Sequence, residues 1–237
     1  MFTVSQKEEI MNMFKDMRVT DVRDGMDWIG YHHYGSMTLD MRPLWRTRAM
    51  GFASTSRYIP YDKPVPNLTG DEYTEWVKWY YGNICNCPWL REGILQKYDM
   101  GVVDASRMNV GLLGSANALG GIGKGISGYV VDGGFRDTDE VILEKIPAWT
   151  KSVAQTMDQG RIMLESYGQK INCGGVCVCQ GDLVVADGDG VIVVPQDVVY
   201  DVGKWATMQM KKDKKGRRKM YLQLGLPLDD TVQVDEE

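Results

Sequence analysis

The sequence predicts a compact α/β domain with mixed strands, flanked by an N-terminal and a C-terminal helix. Three observations predict it. Short apolar strands alternate with helical patterns through the middle of the chain, as in "DMGVVDAS" and "YVVDGG". A valine-rich stretch, "KINCGGVCVCQGDLVVADGDGVIVVPQDVV", is cut by glycine turns into an all-β block. The 237 residues, 43% of them hydrophobic, contain no low-complexity linker and no internal repeat. That length is enough for a sizeable core, and residues 1–237 read as one domain with a helical extension from about residue 196.

Across residues 5–30, Met11, Phe14, Met17 and Val22 recur at roughly helical spacing. Thr20 or Asp21 is placed to cap a second helix over "VRDGMDWIG", and Gly30 to stop it. "MTLDMRPLW" and "RAMGFASTSRYI" read as strands joined around Pro43, and "YDKPVPNLTG" as a loop. "DEYTEWVKWYYGNI" opens with an acidic turn and carries a heavy aromatic face. Its spacing points to core or subunit packing, the alternative being a platform for stacked bases. After the strand "DMGVVDAS", "VGLLGSANALGGIGKGISG" is a glycine-rich loop entering a small-residue helix. "YVVDGG" is the next strand, and "DEVILEKIPAW" a short helix and its exit. Beyond the β block, a long helix ends at Gly225.

Charge and composition exclude some functions. The net charge of −5 argues against a general nucleic-acid binder. No window reaches the length of an apolar membrane span, and the N-terminus lacks the apolar core of a signal peptide, so a cytoplasmic location is expected. The five cysteines, Cys85, Cys87, Cys173, Cys177 and Cys179, read as buried reduced thiols; C-x-C spacing is unusual for zinc. "KKDKKGRRK", with seven basic residues in nine, reads as a solvated helix end onto which the acidic tail can fold.

Two glycine-rich segments carry chemistry. "LLGSANALGG" lies between a strand and a helix, where free backbone N–H groups favour anions. Gly114, Ser115 and Ala116 are small enough for a ligand to approach the backbone. The segment is not a Walker loop, and the dinucleotide fingerprint fails at Ile126. In "DGGFRDTDE", Arg136 offers a planar fork for a carboxylate or enolate oxygen, and Asp137 is a hard oxygen ligand suited to Mg²⁺ or Mn²⁺. The same residues also fit an Arg–Asp pair bracing a tight turn.

"GSANAL…GYVVDGGFRDTDEV…IPAW…GGVCVCQGDLVVADGDGVIVVP" resembles the 4-hydroxy-4-methyl-2-oxoglutarate aldolase superfamily, which also contains protein regulators of ribonuclease E activity. The resemblance extends to "VTDVRDGMDWIG" and to the C-terminal helix, and is weakest around residues 60–100. It implies a swivelling β/β/α-type fold, homotrimers or hexamers, and a site between subunits. It also implies a divalent-metal lyase, an aldolase or decarboxylase acting on a small 2-keto acid. On that resemblance Arg136 holds the keto acid, Asp137 binds Mg²⁺ or Mn²⁺, and the backbone from Gly114 through Ser115, Ala116 and Asn117 cradles the substrate carboxylate. The family's acidic residue, separated from the Arg-Asp step by twenty intervening residues, is replaced here by Ser115, and Glu140 matches the regulators' pattern. A non-enzymatic regulator of ribonuclease activity is therefore the alternative, as is a metal-dependent lyase or hydratase of a sugar-derived acid. His32, beside His33 in "GYHHYG", is a candidate acid or base that could reach a neighbouring subunit's site. Asp104 is a candidate supporting residue, and Asp213 a candidate acid toward a neighbour.

Overall fold

A computed structural model describes residues 2–86, 91 and 93–233. Helix α1 (Val4–Phe14) opens at Thr3, whose hydroxyl accepts from the Gln6 N–H while Gln6 Oε1 accepts from the Thr3 N–H. This reciprocal pairing is a capping box. Helix α2 (Val19–Trp28) starts before both expected caps, with Arg18 as its capping residue. Asp21 acts from inside the first turn: Oδ2 accepts from Arg18 N at 2.8 Å, and Oδ1 pairs with the Arg18 guanidinium at 2.6 Å. Gly30, at φ +86°, follows the helix end as expected.

The strands are β1 (Arg42–Pro43), β2 (Ala49–Pro60), β3 (Asp99–Asp104), β4 (Gly111–Leu113), β5 (Tyr129–Phe135), β6 (Ala148–Val153), β7 (Ile162–Tyr167), β8 (Ile171–Cys173), β9 (Val176–Val178), β10 (Leu183–Ala186) and β11 (Val191–Val194). Nine of them form one mixed sheet along the path β1-β6-β5-β3-β2-β10-β11. β2, β3, β5 and β6 run parallel, whereas β10 and β11 are antiparallel. β4 pairs with the end of β5, and β7 with the second half of β2. The chain from Ser36 to Pro43 links the two outer strands: Ser36 bridges Ile192 of β11, and Arg42 and Pro43 pair with Thr150 and Trp149 of β6. The sheet is thereby nearly closed on itself, and hairpin β8–β9 covers β3 and β2.

Met100, Val102, Val130, Trp149, Val184 and Val193 pack on one face of this sheet. The opposite face of β3 and β5 meets α3 (Gly70–Tyr80), α4 (Ser115–Gly123) and α5 (Thr138–Leu143) through Val103, Tyr129, Val131 and Phe135. The aromatic helix therefore packs into the core, with Tyr80 fully buried. Helix α6 (Val199–Leu224) lies against α2 and stops at Gly225, φ +65°, as expected. Val199, Val202, Gly203 and Ala206 are its buried residues, so the basic stretch is solvated. The tail does turn back: Arg217 Nη2 donates to Thr231 O, and Val232 is buried.

Several expectations need correction. The strand expected over residues 37–45 is only two residues long, because that stretch spans the gap between β11 and β6. β4, β6 and β7 form where loop, helix exit or nothing regular was expected. Cys177 is exposed, since Val176 and Val178 take the buried side of β9. Cys85 and Cys173 are buried thiols and Cys179 is partly covered; Cys87 lies outside the described residues.

The α2–α6 crossing depends on Gly25, where an added Cβ would sit 2.6 Å from Val202 O and 2.9 Å from Ala206 Cβ. Gly25→Ala is expected to cost about 1–3 kcal/mol in urea unfolding. Gly216→Ala, on the open part of α6 with nothing within 4 Å of the new methyl, should instead gain about 0.5–1 kcal/mol.

Candidate functional site

The Arg-Asp step stands where β5 ends and α5 begins. The Arg136 N–H donates to Leu113 O at 3.0 Å, which fastens the step to β4. Asp137 then takes a left-handed conformation, φ 54° and ψ 44°, and caps α5. Such a backbone is costly for a residue with a Cβ and persists only where surroundings fix it. Arg136 Nε donates to Asp137 Oδ1 at 3.0 Å. Both side chains stay about one-third exposed, at 29% and 33%.

Two glycines make room for the pair. A Cβ on Gly114 would lie 2.3 Å from Asp137 Oδ2 and 3.1 Å from Arg136 Cγ. A Cβ on Gly111 would meet Thr156 O at 2.4 Å and Arg136 Cδ at 3.0 Å. Gly114 is also the residue that precedes α4, and it offers no side-chain cap. The N–H groups of Ser115, Ala116 and Asn117 thus belong to a first helical turn, which lacks intrahelical acceptors. The structure therefore brings Gly114, the opening of α4, Arg136 and Asp137 together.

His32 is elsewhere in the chain. Its Nδ1 is 3.4 Å from Asp27 Oδ1, and it lines a cleft with Asp24, Asp27, Trp28 and Gln209. Gln209 donates to Asp213 Oδ1 at 3.1 Å, so both residues expected to serve a neighbour lie along the α2–α6 face. Burial, then the nearby Asp213, Asp21 and Asp27 carboxylates, push the Asp24 carboxyl above its usual range. Glu140 is exposed in the first turn of α5.

A cluster beside the step went unread in the sequence. The chain after α3 forms a π-helical turn, Tyr81–Cys85. Tyr81 OH donates to Asp158 Oδ1 at 2.6 Å, and Cys85 Sγ donates to Oδ2 at 3.0 Å. Tyr80 OH donates to the carbonyls of Asp158 and Ile162. Asp158 is 6% exposed. The Tyr81 phenol is pushed well above its ordinary value, first by burial and then by its bond to Asp158, while the Arg136 charge opposes the shift. Residues 81–85 and 154–158 thus form one wall beside Arg136, reached through Thr156 and Gly111. The aromatic pattern announced packing there, but nothing in "TMDQGR" marked Asp158 as the shared acceptor.

Among the described residues no group of three or more His, Cys, Asp or Glu side chains converges as a metal cage. The Arg-Asp step presents one carboxylate over a glycine-lined opening. That fits Mg²⁺ or Mn²⁺ held by one carboxylate together with waters and substrate oxygens, rather than by protein alone.

A nearly closed mixed sheet with an Arg-Asp step over a glycine-opened helix defines the architecture of this α/β protein. The chain belongs to the RraA-like family, described as Aldolase/RraA, whose model matches residues 19–193. It is 27% identical over 134 residues to an uncharacterised protein of Methanocaldococcus jannaschii, covering 56% of this chain and 63% of that protein. It is 32% identical over 109 residues to a Halalkalibacterium halodurans protein provisionally named 4-hydroxy-4-methyl-2-oxoglutarate aldolase, covering 45% of this chain and 48% of the relative. The chain thus spans less than two-thirds of either relative's length. Its fold is similar to that of a Streptomyces coelicolor member of the RNase ES inhibitor RraA family, with TM-score 0.69, 24% identity, and coverage of 88% of this chain and 96% of that one. It is also similar to the RNA-processing inhibitor RraA of Thermus thermophilus, with TM-score 0.53, 22% identity, and coverage of 76% and 93%. No described helix is long and apolar enough to cross a membrane.

Removing the shared acceptor tests the wall. Asp158→Ala removes the acceptor that Tyr81 and Cys85 share and is expected to cost about 1–3 kcal/mol, read as a lower urea midpoint. An unchanged midpoint would show that the two donors find other acceptors without loss.

Proposed function

We propose that this protein is a divalent-metal-dependent lyase that cleaves a C–C bond of a small 2-keto acid, by retro-aldol reaction or decarboxylation through a pyruvate enolate. The observation that carries the reading is the Arg136–Asp137 pair seated over Gly111 and Gly114 at the opening of α4. Arg136 binds the keto acid by its planar fork and opposes the negative charge that develops on the carbonyl oxygen. The backbone N–H groups of Ser115, Ala116 and Asn117 orient the substrate carboxylate without any side chain. Asp137 holds Mg²⁺ or Mn²⁺, which when bound polarises the 2-keto group as a Lewis acid.

The proton-handling residue is not supplied by position 115, where a serine replaces a carboxylate. His32 fills that role from a neighbouring chain of a homotrimer or hexamer, since within its own chain it faces Asp27. A second reading, a protein regulator of ribonuclease activity on the same scaffold, is favoured by Ser115 and by the names of the Streptomyces and Thermus proteins.

Oxaloacetate decarboxylation, measured with Mg²⁺ and again with EDTA, tests the enzyme. Turnover should require the metal and vanish in Asp137→Ala. Arg136→Lys should lower kcat/KM by at least about tenfold, because a point charge cannot replace the fork. Full activity in Asp137→Ala would sink the assignment. Stoichiometric binding to a ribonuclease complex, with no turnover of any keto acid, would put the regulator in its place.

A further inference from the structure

A second polar cleft, of about 320 Å³, opens where β3 ends beside the middle of β5, and neither Arg136 nor Asp137 lines it. Crevices outside the carboxyl ends of parallel strands are common ligand positions in α/β sheets. Arg57, Asp104, Arg107, Asp132, Lys170 and Asn172 are among its walls. The two carboxylates come from paired positions, since Asp104 is the register partner of Asp132.

Both carboxylates are already engaged. Asp132 is 2% exposed; its Oδ2 accepts from Gly174 N at 2.7 Å, and its Oδ1 lies 3.1 Å from Lys151 Nζ. Asp104 Oδ1 accepts from Ser106 N at 2.9 Å, and Oδ2 lies 3.5 Å from Arg57 Nε. These pairs account for Lys151 and Arg57. Arg107 and Lys170 are left over: both are exposed, and among the described residues neither lies within ion-pair distance of a carboxylate. Asp40 feels the charge of Arg107 only at longer range.

Arg107 is also placed by an unusual turn. Ser106 and Arg107 both have positive φ, 52° and 57°. Ser106 Oγ donates to Tyr58 O, and the Ala105 and Arg107 N–H groups both donate to Asp132 O. The loop is thus pinned to the paired strands whose Asp104 and Asp132 form the cleft floor. On the other side, Lys170, Ile171 and Asn172 line the same cleft at the start of β8.

We infer that this cleft is a second binding site, for a small oxyanion such as a phosphate group or a dicarboxylate, held between Arg107 and Lys170 over the neutralised Asp104–Asp132 floor. A guanidinium and an ammonium are strong donors to such oxygens. The site is independent of the keto-acid reading, because it shares no side chain with the Arg-Asp step.

The test is calorimetric titration of the full-length protein at constant ionic strength, with inorganic phosphate in one arm and succinate in the other. Saturable binding in either arm is expected, and the arm that binds more tightly gives the oxyanion geometry. Arg107→Ala and Lys170→Ala should each weaken it by at least about tenfold. Both residues are exposed, so the variants should melt like the parent; Lys170→Glu gives a second disruption by charge reversal. The binding that depends on Arg107 and Lys170 should persist in Arg136→Ala. Absence of saturable binding in both arms, binding that survives Arg107→Ala and Lys170→Ala, or binding lost only in Arg136→Ala would each overturn the inference.

Discussion

The carboxylate of Asp132 is the point on which most of this fold converges. It stands in β5, between two strands of the parallel run. Its Oδ2 holds the turn of hairpin β8–β9 through Gly174 N, and its Oδ1 faces Lys151 of β6. Its main-chain oxygen collects the Ala105 and Arg107 N–H groups that follow β3. The Lys151 contact lacks hydrogen-bond alignment, so charge rather than a directed bond holds it. Removing one partner of such a buried pair typically costs about 3–5 kcal/mol, because the other charge is stranded. One residue thereby fixes the hairpin and β6 through its side chain, and the loop after β3 through its main-chain oxygen, relative to β5.

The course of β5 beyond Asp132 is a consequence of that anchoring. Gly133 and Gly134 come next, and the β5–β6 register shifts between Val131 and Gly134. A Cβ at Gly134 would sit 2.5 Å from Val110 O, so the close approach of the β4 segment requires glycine there. The strand then delivers Arg136 to Leu113 O and Asp137 to the surface of Gly114. The geometry of the step is set by absent side chains at residues 111, 114 and 134 as much as by the two that are present. The Asp137 backbone, left-handed without being glycine, is held by α5 on one side and this glycine floor on the other.

The legible parts of the sequence were those written in a strong local code. Gly30 and Gly225 end helices at positive φ as their positions announced, and "YVVDGG" is the buried β5. The Arg-Asp step and the opening of α4 were each legible as glycine-rich segments beside strand-like runs, and the family resemblance joined them into one site. β6 was not: "AWTKSV" carries a lysine whose burial makes sense only opposite Asp132, a partner nineteen positions away in sequence. The same is true of Asp158, whose meaning lies in Tyr81 and Cys85 from a distant turn. Cys177 misled because alternation fixes which residues share a face but not which face is buried.

Helix α6 shows how far local stability can carry an element beyond its packing. At about 1.5 Å per residue its 26 residues reach roughly 39 Å. Its buried residues all fall between Val199 and Ala206, where α2 and α1 meet it. The remainder is rich in lysine and arginine, good helix formers. It is closed by Gly225, whose N–H reaches back to the last turn, and by the Thr231 carbonyl accepting from Arg217. Those ties are local, so they hold the helix together without fixing it to the sheet. The buried carboxylate of Asp132 is faced by Lys151 from within the sheet rather than by a cation of this helix. Charges of one sign thus serve two ends in this chain: within the sheet they set strand relationships, and along α6 they keep a long helix in water.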